Sequence, residues 1–526
     1  MQKSNEVEAE MLFEIPRNWK WCELKDLLVR ASTGPFGSML HKADYVIGQI
    51  PLVNPMNIVD GRIVPSMHMT VAAETKERLS SYVLKTGDIV IGRRGEMGRC
   101  AIVTSTEDGW LCGTGSFFLQ LQKAVTNDYF ALFFSSEFSK KYLNGESVGS
   151  TMNNLNHTIL NKLPFPLPPL PEQRRIVAKL EELFSKLDAG VAAVRRTQAL
   201  LKRYRQSVLH AAVTGELTRA WREAHPAPTE TGAALLERIR DERRAQWEAA
   251  QVAKRGGQLP LGDGWKSKYV EPEAVDTSEL HELPEGWTWC RLDSIAEMCL
   301  GKMLDEAKNK GTLQPYLRNV SVRWGSFDLE ELKLMRFTEE EDERYSVKKG
   351  DLVICEGGEP GRAAIWESET PIKIQKALHR VRIKSKSLLN RFLFYSLRHD
   401  ALGHYLSTYF TGTGIQHFTG AALARYTFPL PPLAEQAEIV AEVERRLTVL
   451  DALSRTLTDE LKRAERLRQS ILHRAFTGRL VPQDATDEPA AALLARLQNE
   501  STTPPKARKA RASKTSLASK QLSMPL

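Results

Sequence analysis

Basic side chains in turn-rich segments are the residues of this chain whose type and position could bind a polyanionic ligand. They stand near short β-like runs in two widely separated stretches of the sequence. Arg can donate two parallel hydrogen bonds to a guanine edge, and Lys or Arg can neutralise phosphates. The candidate nucleic-acid contacts are Lys42, Arg62, Arg93, Arg94, Arg99, Lys302, Arg318, Arg323, Lys373, Lys376 and Arg380.

The overall charge permits such a ligand without requiring one. The 526 residues include 73 Lys and Arg against 65 Asp and Glu, a net charge of +8. Most basic surface residues of any protein are only solvated. Arg99 and Arg362 follow glycine-rich loops at the same place in two related segments, where they could equally hold the loop or contact DNA.

Signals of catalysis are weak. A methyltransferase would need an Asn/Asp-Pro-Pro-aromatic loop, and the nearest match, 54–57, lacks the aromatic residue, so we interpret it as structural. The sequence contains no phosphate loop of the form GxxxxGK followed by Ser or Thr. His210 and His473 occupy matching positions, which favours packing or docking over catalysis.

The cysteines and the hydropathy pattern indicate a reduced cytoplasmic protein. The six cysteines form no CxxC pair and lie near no His pair at zinc spacing, so no metal site is expected. No run approaches ~18 apolar residues, so no membrane span is expected.

The sequence repeats itself at an offset of 263 residues. Segments 166–217 and 429–480 align without a gap, and 24 of their 52 positions are identical. The motif W-x-W-C-x-L at 19–24 recurs at 287–292, whereas 100–148 and 363–411 have little in common. This pattern is typical of a constant scaffold that carries two different binding domains.

Each repeated segment predicts a long helix. After a proline-rich entry, apolar residues recur at alternating intervals of three and four, as in a coiled coil. About 40 residues at ~1.5 Å per residue give a rod of roughly 60 Å. We expect helices over 172–214 and 435–477 to pack on each other; the alternative is that each packs only on its own domain.

The segments before each helix predict one α+β domain apiece. Strand-like runs at 88–92 and 351–355 follow Gly-Asp turns, and helical patterns lie near 128–143 and 388–407. The predicted segments are a first domain (1–165), a central helix (166–217), a charged linker (218–280), a second domain (281–428), a distal helix (429–480), and a C-terminal helix with a basic tail expected to be disordered (481–526).

Taken together, these motifs resemble the specificity subunits of type I restriction-modification systems. The resemblance covers roughly residues 12–500. It is carried by W-x-W-C-x-L, TGPFGS (33–38), GDIVI and GDLVI, two GE-x-GR loops, and the doubled PLPPL-x-EQ helix ending in QSVLH or QSILH. It implies an α+β protein with two tandem target-recognition domains, separated by two long antiparallel coiled-coil helices in a pseudo-two-fold arrangement.

The resemblance also implies a non-catalytic function. Each domain is expected to read one half of an asymmetric, bipartite site in double-stranded DNA. The helices would set the spacing and dock two methyltransferase subunits, and motor-nuclease subunits would join the restricting complex. S-adenosylmethionine, ATP and Mg are expected in those partners, with no cofactor in this chain. The residues expected to serve spacing and docking are Glu172, Gln173, Ile176, Leu180, Leu187, Glu435, Gln436, Ile439, Val443 and Leu450.

Two alternatives remain open from the residues alone. One is a DNA methyltransferase or nuclease in its own right, against which the missing motifs count. The other is a coiled-coil scaffold that reads no DNA, against which the two predicted folded domains count.

Overall fold

The computed structural model describes residues 12–36, 39–146, 155–226, 228–258, 262–383 and 390–502. The chain divides into two compact units, Met1–Ala193 with Glu460–Leu526, and Val194–Asp459. The predicted basic tail, at 503–526, and Gly37 and Ser38 of the TGPFGS motif lie outside the described residues.

The first domain, which belongs to the first unit, consists of short strands because its β-branched and aromatic residues are interrupted by glycine-containing turns. Its strands are β1 Lys20–Glu23, β2 Leu28–Thr33, β3 Tyr45–Val46, β4 Ile50–Val53, β5 Ile58–Val59, β6 Arg62–Ile63, β7 Thr70–Val71, β8 Ile89–Gly92, β9 Cys100–Ile102, β10 Leu111–Cys112, β11 Ser116–Leu121 and β12 Pro164–Leu167. Its helices are α1 Ala73–Arg78, α2 Asn127–Phe134, α3 Glu137–Glu146 and α4 His157–Asn161. Within the described residues the strands form two four-stranded sheets, β2-β11-β8-β9 and β10-β4-β7-β3, and the pairs β1-β12 and β5-β6.

Between the two domains, the described residues form three α-helices. They are α5 Leu170–Val213, α6 Arg219–Ala224 and α7 Gly232–Ala253. Helix α5 begins at Leu170, inside the proline-rich entry and with Pro171 in its first turn, where proline is tolerated. It ends before Gly215, whose positive φ of 76° suits a glycine after a helix C-terminus.

The second domain repeats the same sheet plan within the second unit. Its strands are β13 Thr288–Arg291, β14 Ala296–Leu300, β15 Thr312–Leu317, β16 Val322–Arg323, β17 Ser326–Phe327, β18 Lys333–Phe337, β19 Ser346–Val347, β20 Leu352–Cys355, β21 Ala363–Ile365, β22 Ile372–Ile374, β23 Leu378–Ile383 and β24 Thr427–Leu430. Its helices are α8 Leu292–Ile295, α9 Asp342–Tyr345, α10 Asn390–Leu402 and α11 Gly420–Ala424. The described strands order as β14-β23-β20-β21 and β18-β15-β22-β19, with the pairs β13-β24 and β16-β17.

The chain ends its described part with α12 Leu433–Phe476 and α13 Ala490–Thr502. The two-stranded pairs place the start of each long helix. Trp21 lies opposite Pro166 in the β1-β12 pair, and Trp289 lies opposite Pro429 in the β13-β24 pair. Each domain is therefore entered and left at one place, from which its long helix begins.

Each unit has its own core, built from a domain, parts of both long helices and one short helix. In the first unit, Ile176 and Leu180 of α5 share a core with Phe476 of α12 and Leu493 of α13. The second unit joins Ile439, Val443 and Leu450 of α12 to Leu209 of α5 and Leu235 of α7. Full burial of one side chain of this size stabilises the folded state by about 1.5–3 kcal/mol relative to leaving it exposed.

Within each unit the long helices run antiparallel. Arg468 forms an ion pair with Asp188 in the first unit, and Arg205 forms one with Asp451 in the second. The two pairs occupy the same repeat positions.

No helix in the described ranges is long and apolar enough to span a membrane.

Candidate nucleic-acid interface

Four loops of the first domain meet at one place. The amide of Gly34, after β2, donates to Ser116 O at 2.9 Å, and Gly113 N donates to Val53 O at 2.9 Å. Arg93 N, after β8, donates to Gly115 O at 3.0 Å. A Cβ on Gly34 would lie 1.9 Å from Gly113 O, so the close approach requires glycine there.

The second domain joins the corresponding loops. Lys302 N donates to Ile374 O at 3.0 Å, and Lys376 N donates to Lys302 O at 2.7 Å. Ala377, in the place of Gly115, has a φ of 111°, a conformation that L residues rarely adopt. We call the residues of these meeting loops the loop cluster of each domain, 34–36, 54–57, 93–99 and 113–115 in the first and 301–304, 318–321, 356–362 and 375–377 in the second.

The two repeated arginines hold loops together. Arg99 Nη2 pairs with Glu96 Oε2 at 2.9 Å, while its Nη1 donates to Pro55 O at 3.4 Å. Arg362 Nη1 likewise pairs with Glu359 at 2.5 Å, and its Nη2 donates to Asn319 O at 2.8 Å. The same bonds in both copies favour a loop-holding role for Arg99.

The remaining first-domain candidates are mostly exposed. Lys42, Arg62 and Arg94 lie at the surface, in a short 3-10 helix, in β6 and in the loop after β8. Arg93 is half-buried, with its guanidinium 5.4 Å from the centre of the Phe117 ring. Burial, and then the neighbouring Arg94, lower the pKa of Arg93.

Three second-domain candidates are buried and paired inside the fold. Lys302 Nζ contacts Glu341 at 2.5 Å, and Lys373 Nζ pairs with Asp342 and donates to Ser346 at 2.6 Å. Because a buried charge must be paired, these contacts favour a structural role for both lysines.

Arg380 is the third buried candidate. It is 1% exposed and donates to Glu297 Oε1 at 2.8 Å as well as to backbone carbonyls. In contrast, Arg323 and Lys376 are exposed and Arg318 is half-buried. The structure thus leaves three of the six second-domain candidates accessible.

Sequence reasoning missed exposed apolar side chains in the loop clusters. Phe36 and Met303, which follow Gly34-Pro35 and Gly301-Lys302, are 58% and 59% exposed. Met56 and Val320, inside matching 3-10 turns, are 62% and 47% exposed. Large apolar side chains left exposed at equivalent positions of two divergent domains are the signal that a self-comparison could have found.

The Glu-Gln pair of each PLPPL-x-EQ motif lies inside its unit. Glu172 accepts from Gln483 Nε2 at 2.6 Å, and burial raises the pKa of its carboxyl. Gln173 donates to Ala124 O and Pro168 O and accepts from Thr126 N, each at 2.9–3.0 Å. These bonds fix the start of α5 against the first domain.

The second unit repeats this anchor. Glu435 accepts from Thr218 Oγ1 at 2.7 Å, from Arg222 and from Trp287 Nε1 at 2.8 Å. Gln436 Nε2 donates to Pro431 O at 2.8 Å. Of the apolar candidates on the helices, Leu187 is half-buried, and the others are in the cores of their units: Ile176, Leu180, Ile439, Val443 and Leu450.

Comparison with known proteins identifies the family. A sequence model described as the type I restriction modification DNA specificity domain matches residues 16–192 and again 284–463. The chain belongs to this family. Each match contains one of the two domains and the first part of the long helix that follows it, so this specificity protein carries the family's domain twice.

Two relatives of this specificity protein align with most of its length. The StySPI specificity subunit of Salmonella potsdam is 26% identical over 472 residues, 86% of this chain and 88% of the relative. The EcoKI specificity subunit of Escherichia coli strain K12 is 25% identical over 488 residues, 87% of this chain and 89% of the relative. Specificity subunits are non-catalytic, and the family therefore supports a protein that is not an enzyme.

A solved structure supports the same fold. One chain, from work on complex assembly and conformational transition of the type I R-M system, has a TM-score of 0.62 at 19% identity. The alignment covers 89% of this chain and 100% of that one.

Within the described ranges, no group of three or more His, Cys, Asp or Glu side chains is placed to hold a metal ion.

Proposed function

We propose that this chain selects the DNA site for a type I restriction-modification complex, with each domain reading one half of an asymmetric bipartite sequence. One observation carries the proposal. The same loop cluster is built twice on repeated strands and helices, while the side chains it presents differ between the copies. A constant frame with two different surfaces suits two unlike half-sites.

The proposed DNA contacts are the accessible cations. In the first domain they are Lys42, Arg62 and Arg94, with Arg93 at the edge of the loop cluster. In the second domain they are the three accessible candidates, Arg318, Arg323 and Lys376. Such side chains neutralise phosphates or bind guanine edges, functions that the buried Lys302, Lys373 and Arg380 cannot serve in this conformation.

We place partner docking on the outward sides of the long helices. The Glu-Gln pairs of the two PLPPL-x-EQ motifs and most of the apolar helix candidates make their contacts within their own units. They would therefore serve docking indirectly, by holding the helices in place. In the second unit, exposed apolar residues remain on both helices: Leu200, Tyr204, Val449 and Leu453. We assign this surface to one of two methyltransferase subunits, which would supply the chemistry and which motor-nuclease subunits would join.

Mapping methylated adenines in the source genome tests the function. We expect one methylated motif with two unlike halves and a fixed gap. Methylation at that motif should be lost when the gene for this chain is deleted. The purified complex with its modification subunits should bind that motif over random DNA at physiological salt. Absence of any sequence preference across a salt titration would refute the proposal, because only non-specific phosphate attraction would then remain.

A further inference from the structure

A cavity beside the loop cluster of the second domain has a volume and a lining that suit a nucleobase. Its volume is 510 Å³, and it lies between the β15-β18 strand pair and the loops at 301–309, 318–320 and 375. Resting on the proposed DNA-reading function, we propose that this cavity receives one unstacked base of the bound DNA.

The walls of the cavity are aliphatic and open to solvent. Leu304, Leu313, Val320 and Leu334 are 51%, 56%, 47% and 58% exposed. Leu334 lies on β18, an edge strand of its sheet. Proteins normally protect edge strands with charges rather than exposing large apolar side chains, so this surface indicates a ligand with an apolar face.

Two polar side chains of the same cavity keep unused hydrogen-bonding groups. The Gln375 side chain makes no hydrogen bond with any described residue. Arg318 Nη2 donates to Glu331 O at 3.3 Å, whereas its buried Nε has no acceptor among the described residues. An amide and a guanidinium together offer donors and an acceptor to the edge of a base.

The charge around the cavity favours a nucleotide over a neutral ligand. Arg318, Lys333 and Arg336 line it together with one acidic residue, Glu306, which leaves a formal excess of two positive charges. A phosphate that carries the base into the cavity would meet this excess.

The cavity is continuous with the proposed reading surface. Asn319 and Gln375, which line it, belong to the loop cluster, and Gln375 immediately precedes the exposed Lys376 and the strained Ala377. Base-flipping proteins hold the extruded base between apolar side chains and bind its edge by hydrogen bonds. A base that stays stacked presents only its edge, which would leave these four aliphatic side chains unused.

A mismatch scan of the mapped half-site tests the cavity. The full chain with its modification subunits is titrated with duplexes that each carry one mismatched pair. Most mismatches should weaken binding about tenfold or more. At one position in the second domain's half, other than the methylated adenine, a mismatch should leave the affinity unchanged or raise it severalfold, because the base there is already freed. A fluorescent base analogue at that position should brighten on binding.

Matched variants connect this signal to the cavity. Leu334→Trp, which fills it, should remove both the mismatch tolerance and the fluorescence increase. Val270→Trp, at an 83% exposed position in the linker, should preserve both. Gln375→Ala, at a residue whose backbone forms a β-bridge with Lys302, should reduce discrimination at that base pair about tenfold while leaving the melting temperature unchanged.

The outcomes separate this proposal from the function on which it rests. If the complex binds its site specifically but no position shows the mismatch tolerance or the fluorescence increase, the cavity proposal is wrong and the proposed function stands. The cavity is also excluded if Leu334→Trp folds and the signal persists. If no sequence preference exists, the proposed function itself fails.

Discussion

Glu435 is a fully buried carboxylate that accepts hydrogen bonds from Thr218, Arg222 and Trp287. Its replacement by Ala leaves the Arg222 guanidinium and the indole N–H of Trp287 without their acceptor. We expect Glu435→Ala to lower the free energy of unfolding by about 3 kcal/mol, as for the removal of one partner of a buried ion pair. Urea denaturation measures the loss.

Glu444 on the same helix provides the control. Its side chain is 39% exposed and pairs with the exposed Arg391. Glu444→Ala should cost less than about 1 kcal/mol, because solvent screens such a pair. Equal losses in the two variants would show that burial is not what makes Glu435 important.

His379 makes stability depend on pH. It is buried in β23 with Nε2 2.9 Å from Phe418 O, and burial lowers the pKa of its imidazole. The unfolded state therefore binds the proton more readily, and stability falls as the pH drops below about 6.5. His379→Gln should be less stable at pH ~7.5 but lose less stability between pH ~7.5 and ~5.5. A parallel pH dependence of the two proteins would contradict this assignment.

At the residue scale, the sequence predicted which side chains recur but not which are accessible. Alternation in β22 places Lys373 on the opposite face from its neighbours Ile372 and Ile374, which suggests exposure. The structure covers that face as well, with the Phe337 ring 5.6 Å from Lys373 Nζ and Asp342 as its partner. A long-range cover of this kind depends on tertiary packing, which local periodicity does not encode.

At the scale of elements, the long helices were predicted closely because a proline entry and a glycine stop bound each one. The helices at 170–213 and 433–476 differ from the predicted 172–214 and 435–477 by one or two residues at each end. The buried face of the helices was predicted less well. Tyr204 and Leu467 occupy the same repeat position and fit the three-four spacing of apolar residues, yet they are 46% and 50% exposed.

Two substitutions on α12 compare its inward and outward faces. Ile439→Ala, in the core of the second unit, should cost about 2–5 kcal/mol. Val449→Ala, at a 60% exposed position, should change stability by less than about 0.5 kcal/mol. Val449→Asp should keep the fold but place a charge in the proposed docking surface. In a pull-down, this variant should therefore capture less methyltransferase subunit than the unchanged protein. Unimpaired assembly of Val449→Asp would remove this surface from the proposal.

At the scale of the whole molecule, the repeat predicts independent half-sites. Replacing residues 15–165 with the matching segment of another specificity subunit should change one half of the methylated motif and preserve the other half and the gap. Methylation mapping in cells that carry the chimera reads both halves at once. A change in both halves would mean that the domains do not read separately.

The division of the chain into units also fixes an order of events at the ribosome. The second unit, Val194–Asp459, is one continuous stretch, so all of its residues are available once Asp459 has been made. The first unit includes Glu460–Leu526 and buries Phe476 and Leu493 beside Ile176. Although its domain is made first, its core must wait for some 300 further residues to be translated, at ~5–20 residues per second. During that interval the apolar face of α5 is not yet packed against α12 and α13. We therefore expect chaperones to bind the nascent first unit.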